Sequence, residues 1–196
     1  MRAPVDKIAP CAITIKNMVC PRCIDTVKRI VESTGLPLLE VKLGEIRLNA
    51  QPSAKQTEDL GKGLEANGFE IVQSVKARRI NKIKTLIIDR IHYGGGNPEM
   101  TLSSYLSQEL NYDYSRISKL FSSVEGMTIE RFATLQRVEK IKELLIYDEG
   151  SIAEIAEQLD YSSPTHLSAQ FKRETGMTPS KFRNHRPPMR RSLDSI

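Results

Sequence analysis

The chain has no tryptophan, few aromatic residues of any kind (6%), and only three cysteines and three histidines among its 196 residues. Three cysteines, two of them in a C-x-x-C, cannot build the disulfide framework that staples small secreted domains. That usage suits a reducing compartment and a metal or redox site. No apolar run approaches the length of a membrane span, so no membrane partner is expected. The N-terminal MRAPVDKIAPCAITIKN has one early Arg but no apolar signal core, which argues against secretion and for the cytoplasm. With these classes set aside, the composition is that of an ordinary soluble protein, 39% hydrophobic and 27% charged. The length allows one large or two small domains with a substantial core.

The formal charge of +5 matters less than its distribution. Residues 101–196 hold thirteen Lys or Arg against thirteen Asp or Glu. Within them Lys172, Arg173, Lys181, Arg183, Arg186, Arg190 and Arg191 oppose only Glu174 until Asp194. Lys76, Arg78, Arg79, Lys82 and Lys84 form a second basic cluster. Such clusters can neutralise phosphates, although solvated charge and a loose tail account for the last ten residues equally well.

The most structured signal lies at 152–183. Ile152, Ile155, Ala156 and Leu159 recur at helical spacing behind a Ser151/Glu154 capping box. Ser163 can cap a second helix whose first residue is Pro164. In that helix Leu167 and Phe171 face inward, and Thr165, His166, Ser168, Ala169 and Lys172 face outward. Gly176 closes it, and Thr178-Pro179 opens another. The same unit occurs earlier. An offset of fifty carries Ser118, Phe121, Gly126, Met127, Thr128 and Phe132 onto Ser168, Phe171, Gly176, Met177, Thr178 and Phe182. Upstream of the turn the offset is forty-nine, taking Leu106, Leu110 and Tyr112 onto Ile155, Leu159 and Tyr161. Two copies are too few for a solenoid.

In the first copy Thr101 caps Leu102–Leu110, and Asp113 caps a helix from Tyr114 to Ser123. Ile117, Leu120 and Phe121 point inward; Ser115, Arg116, Ser118, Lys119 and Ser122 point outward. A long helix from Thr128 to Tyr147 joins the copies, with Phe132, Leu135, Val138, Ile141, Leu144 and Leu145 as its buried stripe. Two helix-turn-helix units on a connecting helix, with I-A-E-I-A, F-K-R-E-T-G-M-T-P-S and F-R in the second, resemble the DNA-binding domain of AraC-type transcription regulators across about 101–186. The resemblance implies double-stranded DNA as partner, with RNA polymerase and a second copy of the chain as further expected partners. The second helix of each unit would enter successive major grooves about 10 bp apart. Arg116 and Lys119 can donate to guanine or to phosphate, and Ser115, Ser118, Thr165, His166 and Ser168 can contact base edges. Ala169 offers only a methyl contact. His92, His166 and His185 are scattered, so each is expected at a surface or DNA-facing position rather than as a catalytic base. No enzyme is expected.

Residues 12–73 read as βαββαβ. A strand at 12–16 is followed by the loop Asn17-Met18-Val19-Cys20-Pro21-Arg22-Cys23. A helical face of Ile24, Val27, Ile30 and Val31 ends at Gly35. Strands at 38–42 and 45–48 flank Leu43-Gly44. A helix over 56–67 buries Leu60 and Leu64 and ends at Gly68, and a last strand covers 69–72. This order is that of a ferredoxin-like split βαβ domain. The M-x-C-x-x-C loop and the later N-G-F-E resemble a heavy-metal-associated domain, although Asn17 stands where such domains commonly have Gly. The resemblance implies a soft metal at Cys20 and Cys23, with Cu(I) favoured over zinc or another ion. The helix N-terminus, Arg22 and Lys28 are expected to lower the thiol pKa values. Met18 packs inward, and Cys11 lies too far along the strand to help. A redox pair or two ordinary cysteines remain open alternatives. A thioredoxin-like enzyme fits poorly, lacking both the tryptophan and a strand-leading proline.

Residues 75–92 form a helix with Ile80, Ile83, Ile87 and Ile91 on one face, expected to dock on its own chain. Residues 93–98, YGGGNP, read as a hinge. The fold class is α+β: a ferredoxin-like domain at 1–74, a connecting helix and hinge at 75–100, and an all-α domain at 101–196 with two helix-turn-helix motifs, a linker helix and a basic tail. The functional expectation is a sequence-specific DNA-binding transcription regulator responsive to a soft metal. Its alternative is a metal-carrying or redox protein whose C-terminal helices dock a protein partner. An alkylation-response regulator would need four cysteines about its metal, and only two stand close together here.

Overall fold

The computed structural model describes residues 10–185 and 193–196. The chain divides into two compact units, one ending at Thr85 and the other beginning at Leu86.

In the first unit, the alternation at the N-terminus forms β1 (Cys11–Lys16), which turns through Asn17 into α1 (Pro21–Ser33). Cys20 is the N-cap of α1 and Pro21 its first residue, where a missing N–H goes unused. Then come β2 (Leu38–Lys42), β3 (Glu45–Leu48), α2 (Ala54–Glu65) and the two-residue β4 (Glu70–Ile71). The sheet is antiparallel in the order β2-β3-β1-β4. Ile15, Ile46 and Leu48 from the strands meet Val27, Val31, Leu60 and Leu64 from the helices in one buried core. Helix α2 begins two residues before the expected Gln56, because Ser53 and Gln56 close a reciprocal capping box. Gly44, at φ +75, lets the hairpin lie against Asn81 and Thr85, whose side chains would meet any Cβ there.

Helix α3 (Val75–Tyr93) crosses the boundary between the units. Ile80 and Ile83 are buried in the first, and Asn81 donates to the Ile15 carbonyl at 2.9 Å. Leu86, Ile87 and Ile88 are buried in the second. The expected stripe therefore holds at 80, 83 and 87. Leu86 and Ile88 widen it, and Ile91 is only half-buried. The division falls inside α3, whereas the YGGGNP stretch lies within the second unit. There the Gly95 N–H donates to the Asp89 carbonyl, and Arg90 donates to the Asn97 and Met100 carbonyls.

The second unit continues with α4 (Leu102–Leu110), α5 (Tyr114–Glu125), α6 (Ile129–Ile146), α7 (Ile152–Gln158), α8 (Pro164–Thr175) and α9 (Pro179–His185). A short 3-10 turn follows at Leu193–Ser195. Helix α6 departs from its expected single stripe. Leu135 is half-buried, while Gln136, Glu139 and Lys142 are buried alongside Phe132, Val138, Ile141, Leu144 and Leu145. The row is satisfied internally. Gln136 Oε1 lies 3.1 Å from His92 Nε2, Gln136 Nε2 donates to the Leu193 carbonyl, and Lys142 Nζ sits 2.7 Å from Glu139. His92 is thus buried structure, at 7% exposure, rather than a surface or DNA-facing residue.

Candidate nucleic-acid interface

The repeat seen in the sequence is a repeat of atomic structure. Asn111 and Asp160 both hold left-handed backbone (φ +51 and +59) at the ends of α4 and α7. The N–H groups of Tyr112 and Tyr161 then reach back to the Ser107 and Ala156 carbonyls. Asp113 and Ser163 cap α5 and α8, and Gly126 and Gly176 end them in left-handed conformations. Thr128 and Thr178 each accept the N–H three residues on. Ile117 and Phe121 anchor α5, and Leu167 and Phe171 anchor α8. Phe121 meets Phe132 edge-on at 5.6 Å, and Phe171 meets Phe182 likewise at 5.4 Å. Each second helix is held by two inward side chains and one aromatic pair, which leaves its other face outward.

On α5, Ser115, Arg116 and Lys119 are exposed, and Ser118 and Ser122 are half-buried. Ser115 is also tied down, its hydroxyl and its N–H both donating to Asp113 Oδ1. Those bonds, the hydroxyl first, hold the Asp113 carboxyl below the usual range. On α8, Thr165, His166, Ala169 and Lys172 are exposed, and Ser168 is half-buried. No candidate is enclosed in the core, and the two cations of α5 stand on the same face as its serines.

Several basic residues have other employment. Arg183 is half-buried; its guanidinium donates to the Gly150 carbonyl at 2.6 Å and approaches Asp148 at 3.5 Å, which fastens α9 to the α6–α7 turn. It is a structural tie rather than one of the cations left over for phosphate. Arg131 on α6 pairs with Glu174 on α8 at 2.6 Å. The Arg131 hydrogen bond holds the Glu174 carboxyl below its ordinary range, against the opposing effect of burial. Lys172, Lys181 and Arg173 remain exposed, Arg173 lying 3.7 Å from Glu174. Arg186, Arg190 and Arg191 lie outside the described residues.

Sequence reading missed the residues that set the start of α8. Tyr161 is half-buried and its hydroxyl donates to Gln170 on α8; burial raises its pKa. The Tyr161 ring stands edge-on to the His166 imidazole at 5.5 Å, and Ser162 Oγ lies 3.1 Å from His166 Nδ1. The spacing from 162 to 166 was the available signal, since residues four apart along a capped helix start lie close together.

In the other unit, Cys20 and Cys23 come together, their sulfurs 3.0 Å apart at the N-terminus of α1. Met18 packs inward at 3% exposure. Asn17 takes φ +70, the conformation that glycine supplies at this point, and its amide donates to the Gly68 carbonyl. The expectation of lowered thiol pKa values is corrected at Cys23, whose thiol is pushed up by burial and then by its hydrogen bond with Cys20. Among the described residues no group of three or more His, Cys, Asp or Glu could hold a metal ion. Two thiolates on opposite sides of one ion at metal–sulfur distances of about 2.3 Å would stand roughly 4.6 Å apart. At 3.0 Å the pair is too close together to hold an ion between its sulfurs in this geometry. It fits a two-coordinate soft ion after deprotonation and opening, and does not fit a closed zinc site.

The geometry of the second unit defines a class: a pair of helix-turn-helix units sharing a central helix. Residues 106–185 match the family model described as a helix-turn-helix domain. The chain is 33% identical over 106 residues to the uncharacterized transcriptional regulatory protein YesN of Bacillus subtilis, covering 53% of this chain and 28% of that protein. It is 32% identical over 92 residues to an uncharacterized HTH-type transcriptional regulator of Staphylococcus aureus, covering 47% of this chain and 12% of that protein. The chain thus spans well under half the length of either relative. Among solved structures it is similar to the C-terminal domain of AraT, a response regulator from Geobacillus stearothermophilus (TM-score 0.49, 27% identity, 59% of this chain and 92% of that one). The family match begins at residue 106, well past the cysteine loop of the first unit. No helix among the described residues is long and apolar enough to cross a membrane.

Proposed function

We propose that the chain is a sequence-specific DNA-binding transcription regulator that reads duplex DNA through α5 and α8. The carrying observation is the duplication: both helices are anchored by matching apolar pairs and matching aromatic contacts, and both leave polar or basic side chains exposed. Ser115, Arg116, Ser118, Lys119 and Ser122 serve the first reader; Thr165, His166, Ser168, Ala169 and Lys172 serve the second. Inserted into successive major grooves, they would span about one helical turn. Selection of bound sequences from a random duplex pool tests this. A two-part consensus with half-sites about 10 bp apart is expected; recovery of no preferred sequence refutes the reading. RNA polymerase and a second copy of the chain are the protein partners this function calls for, and its compartment is the cytoplasm.

A second proposal concerns the first unit, taken as a ferredoxin-like domain on its βαββαβ order and β2-β3-β1-β4 sheet. Cys20 and Cys23 bind a soft ion, Cu(I) before zinc, and occupancy alters DNA affinity. What supports it is the convergence of two sulfurs at a helix start. A gel shift with and without Cu(I), repeated on Cys20→Ser/Cys23→Ser, decides it. Equal affinity in all four conditions removes metal control and leaves DNA binding intact. If the chain takes up Cu(I) but protects no DNA, the reading becomes a metal carrier whose C-terminal helices dock a protein.

A further inference from the structure

His166 is the one exposed reader side chain whose orientation is set from both sides. Its own N–H donates to Ser163 Oγ at 3.1 Å, which fixes the backbone at the third residue of α8. Ser162 Oγ, from the turn, lies 3.1 Å from Nδ1. The Tyr161 ring stands against the imidazole at 77°, and Tyr161 is itself anchored by its bond to Gln170 one turn further along α8. With Nδ1 engaged by Ser162, Nε2 is the nitrogen left to face a ligand.

Which nitrogen carries hydrogen follows from the pairing. When Ser162 donates to Nδ1, the neutral ring keeps its hydrogen on Nε2. When the ring is protonated, Nδ1–H donates to Ser162 Oγ and Nε2 again carries a hydrogen. The negative field of a duplex favours both arrangements over a neutral ring with a bare Nε2, because a donor is stabilised there and an acceptor is not. In the major groove guanine presents two adjacent acceptors, N7 and O6, whereas adenine sets a donor beside its N7, thymine has a single acceptor, O4, beside its methyl, and cytosine offers only a donor.

We propose that His166 is a specificity-determining residue, held by Ser162 and Tyr161 as a fixed Nε2–H donor that selects guanine. This rests on the DNA-binding reading above and names the base that one position of α8 takes. Ser162 and Tyr161 act through the imidazole and are positioning residues.

The test is parallel selection from one random duplex pool by the full chain and by His166→Ala, His166→Gln and Ser162→Ala. The unaltered protein is expected to return one guanine that becomes degenerate with His166→Ala, with a preference of roughly fivefold or more lost. His166→Gln should move the preference toward adenine, whose N6 and N7 a carboxamide matches. Ser162→Ala, with His166 present, should weaken the guanine preference without changing the rest of the consensus. A further arm replaces that guanine by 7-deazaguanine, which lacks the N7 acceptor. Binding by the unaltered protein should fall while His166→Ala is indifferent. An identical consensus from the unaltered protein and His166→Ala overturns the proposal and leaves DNA binding standing. A Ser162→Ala preference equal to that of the unaltered protein overturns the positioning. No consensus from any variant overturns the proposal together with the reading beneath it.

Discussion

Removing the phenyl group of Phe171 is the sharpest single perturbation of the second reader. Phe171 and Leu167 are the two buried side chains of α8, both with no exposed surface, and Phe182 faces Phe171 edge-on at 5.4 Å. A buried Phe→Ala change costs about 3–5 kcal/mol, the lost transfer energy plus the cavity left behind. The aromatic pair accounts for about 0.5–1.5 kcal/mol of that. Phe171→Leu keeps most of the volume and loses the ring contact, so it should cost under about 1.5 kcal/mol. Against a domain stability of roughly 5–15 kcal/mol, the alanine variant stays folded in part or is lost, while the leucine variant stays folded. Urea unfolding followed by circular dichroism gives the totals, and amide exchange resolved by peptide gives the location. Faster exchange should concentrate in α8 and α9 and leave β1–β4 unchanged. The repeat adds a constraint: Phe121→Ala should behave alike in α5, since its ring meets Phe132 at 5.6 Å. Phe171→Ala with unchanged urea midpoint and unchanged exchange in α8 would refute the assignment of Phe171 as the anchor of this helix.

Other perturbations probe separate parts of the chain. Gly176→Ala meets no atom within 4 Å, so its cost is purely the left-handed backbone at φ +80, about 1–2 kcal/mol by thermal denaturation; Gly176→Asn should cost less. Asn17→Ala loses both a tolerated left-handed residue and the bond to the Gly68 carbonyl, whereas Asn17→Gly loses only the bond. The alanine variant should be the less stable of the two in urea. Glu154 accepts the Ser151 N–H at 2.7 Å, which lowers its pKa below the ordinary carboxylate value of 4.5. Its contribution is therefore present above that value and disappears as pH falls through the lowered pKa. Glu154→Gln keeps the capping bond and should flatten this part of the acid-unfolding curve. Lys119→Ala should reduce the salt slope of DNA binding by about one ion, and Arg183→Ala should not, because Arg183 is occupied with Gly150 and Asp148.

How much of this could be read from the chain depends on whether a signal was local. Caps and closing glycines were legible at Ser151, Ser163, Gly126 and Gly176, because each is a short-range backbone requirement that few residue types meet. The repeat was legible for the same reason, each copy carrying its own caps and anchors. The Ser53 box was overlooked because Pro52-Ser53-Ala54 has no apolar periodicity of its own to mark a helix start. Polar residues deep in α6 were illegible in principle. Gln136, Glu139 and Lys142 look like an ordinary solvated row, and only the tertiary fold supplies the partners that let them be buried. The Cys23 shift went the other way from expectation because spacing reveals the helix N-terminus but not how far the thiol is enclosed. Of the readers' serines only Ser115 is exposed, and Ser118, Ser122 and Ser168 are half-buried, because helical spacing separates the inward from the outward face but not the positions at its edge.

The buried row on α6 also bears on what belongs to the DNA-reading unit. A linker helix between two motifs needs one apolar stripe for each motif it touches, and α6 has those in Phe132 and in Val138, Ile141 and Leu145. Gln136, Glu139 and Lys142 follow one another at three-residue steps, which places them along one side of the helix. Gln136 meets His92, a residue of α3 that precedes the glycine stretch. The second unit therefore extends back through Leu86, Ile87, Ile88 and His92, and the YGGGNP segment is a turn inside it rather than its upstream border. A fragment begun at Thr101 would discard His92, the partner of Gln136, together with the buried Leu86, Ile87 and Ile88, and so lose that hydrogen bond and the apolar burial with it. One begun at Leu86 retains both, and urea unfolding of the two fragments should show the longer one to be the more stable. The residues that make the helix-turn-helix pair stable thus include a segment outside the sequence repeat, joined to it by His92 on Gln136, Arg90 over the Tyr105 ring and Ile91 against the Val138–Ile141 core.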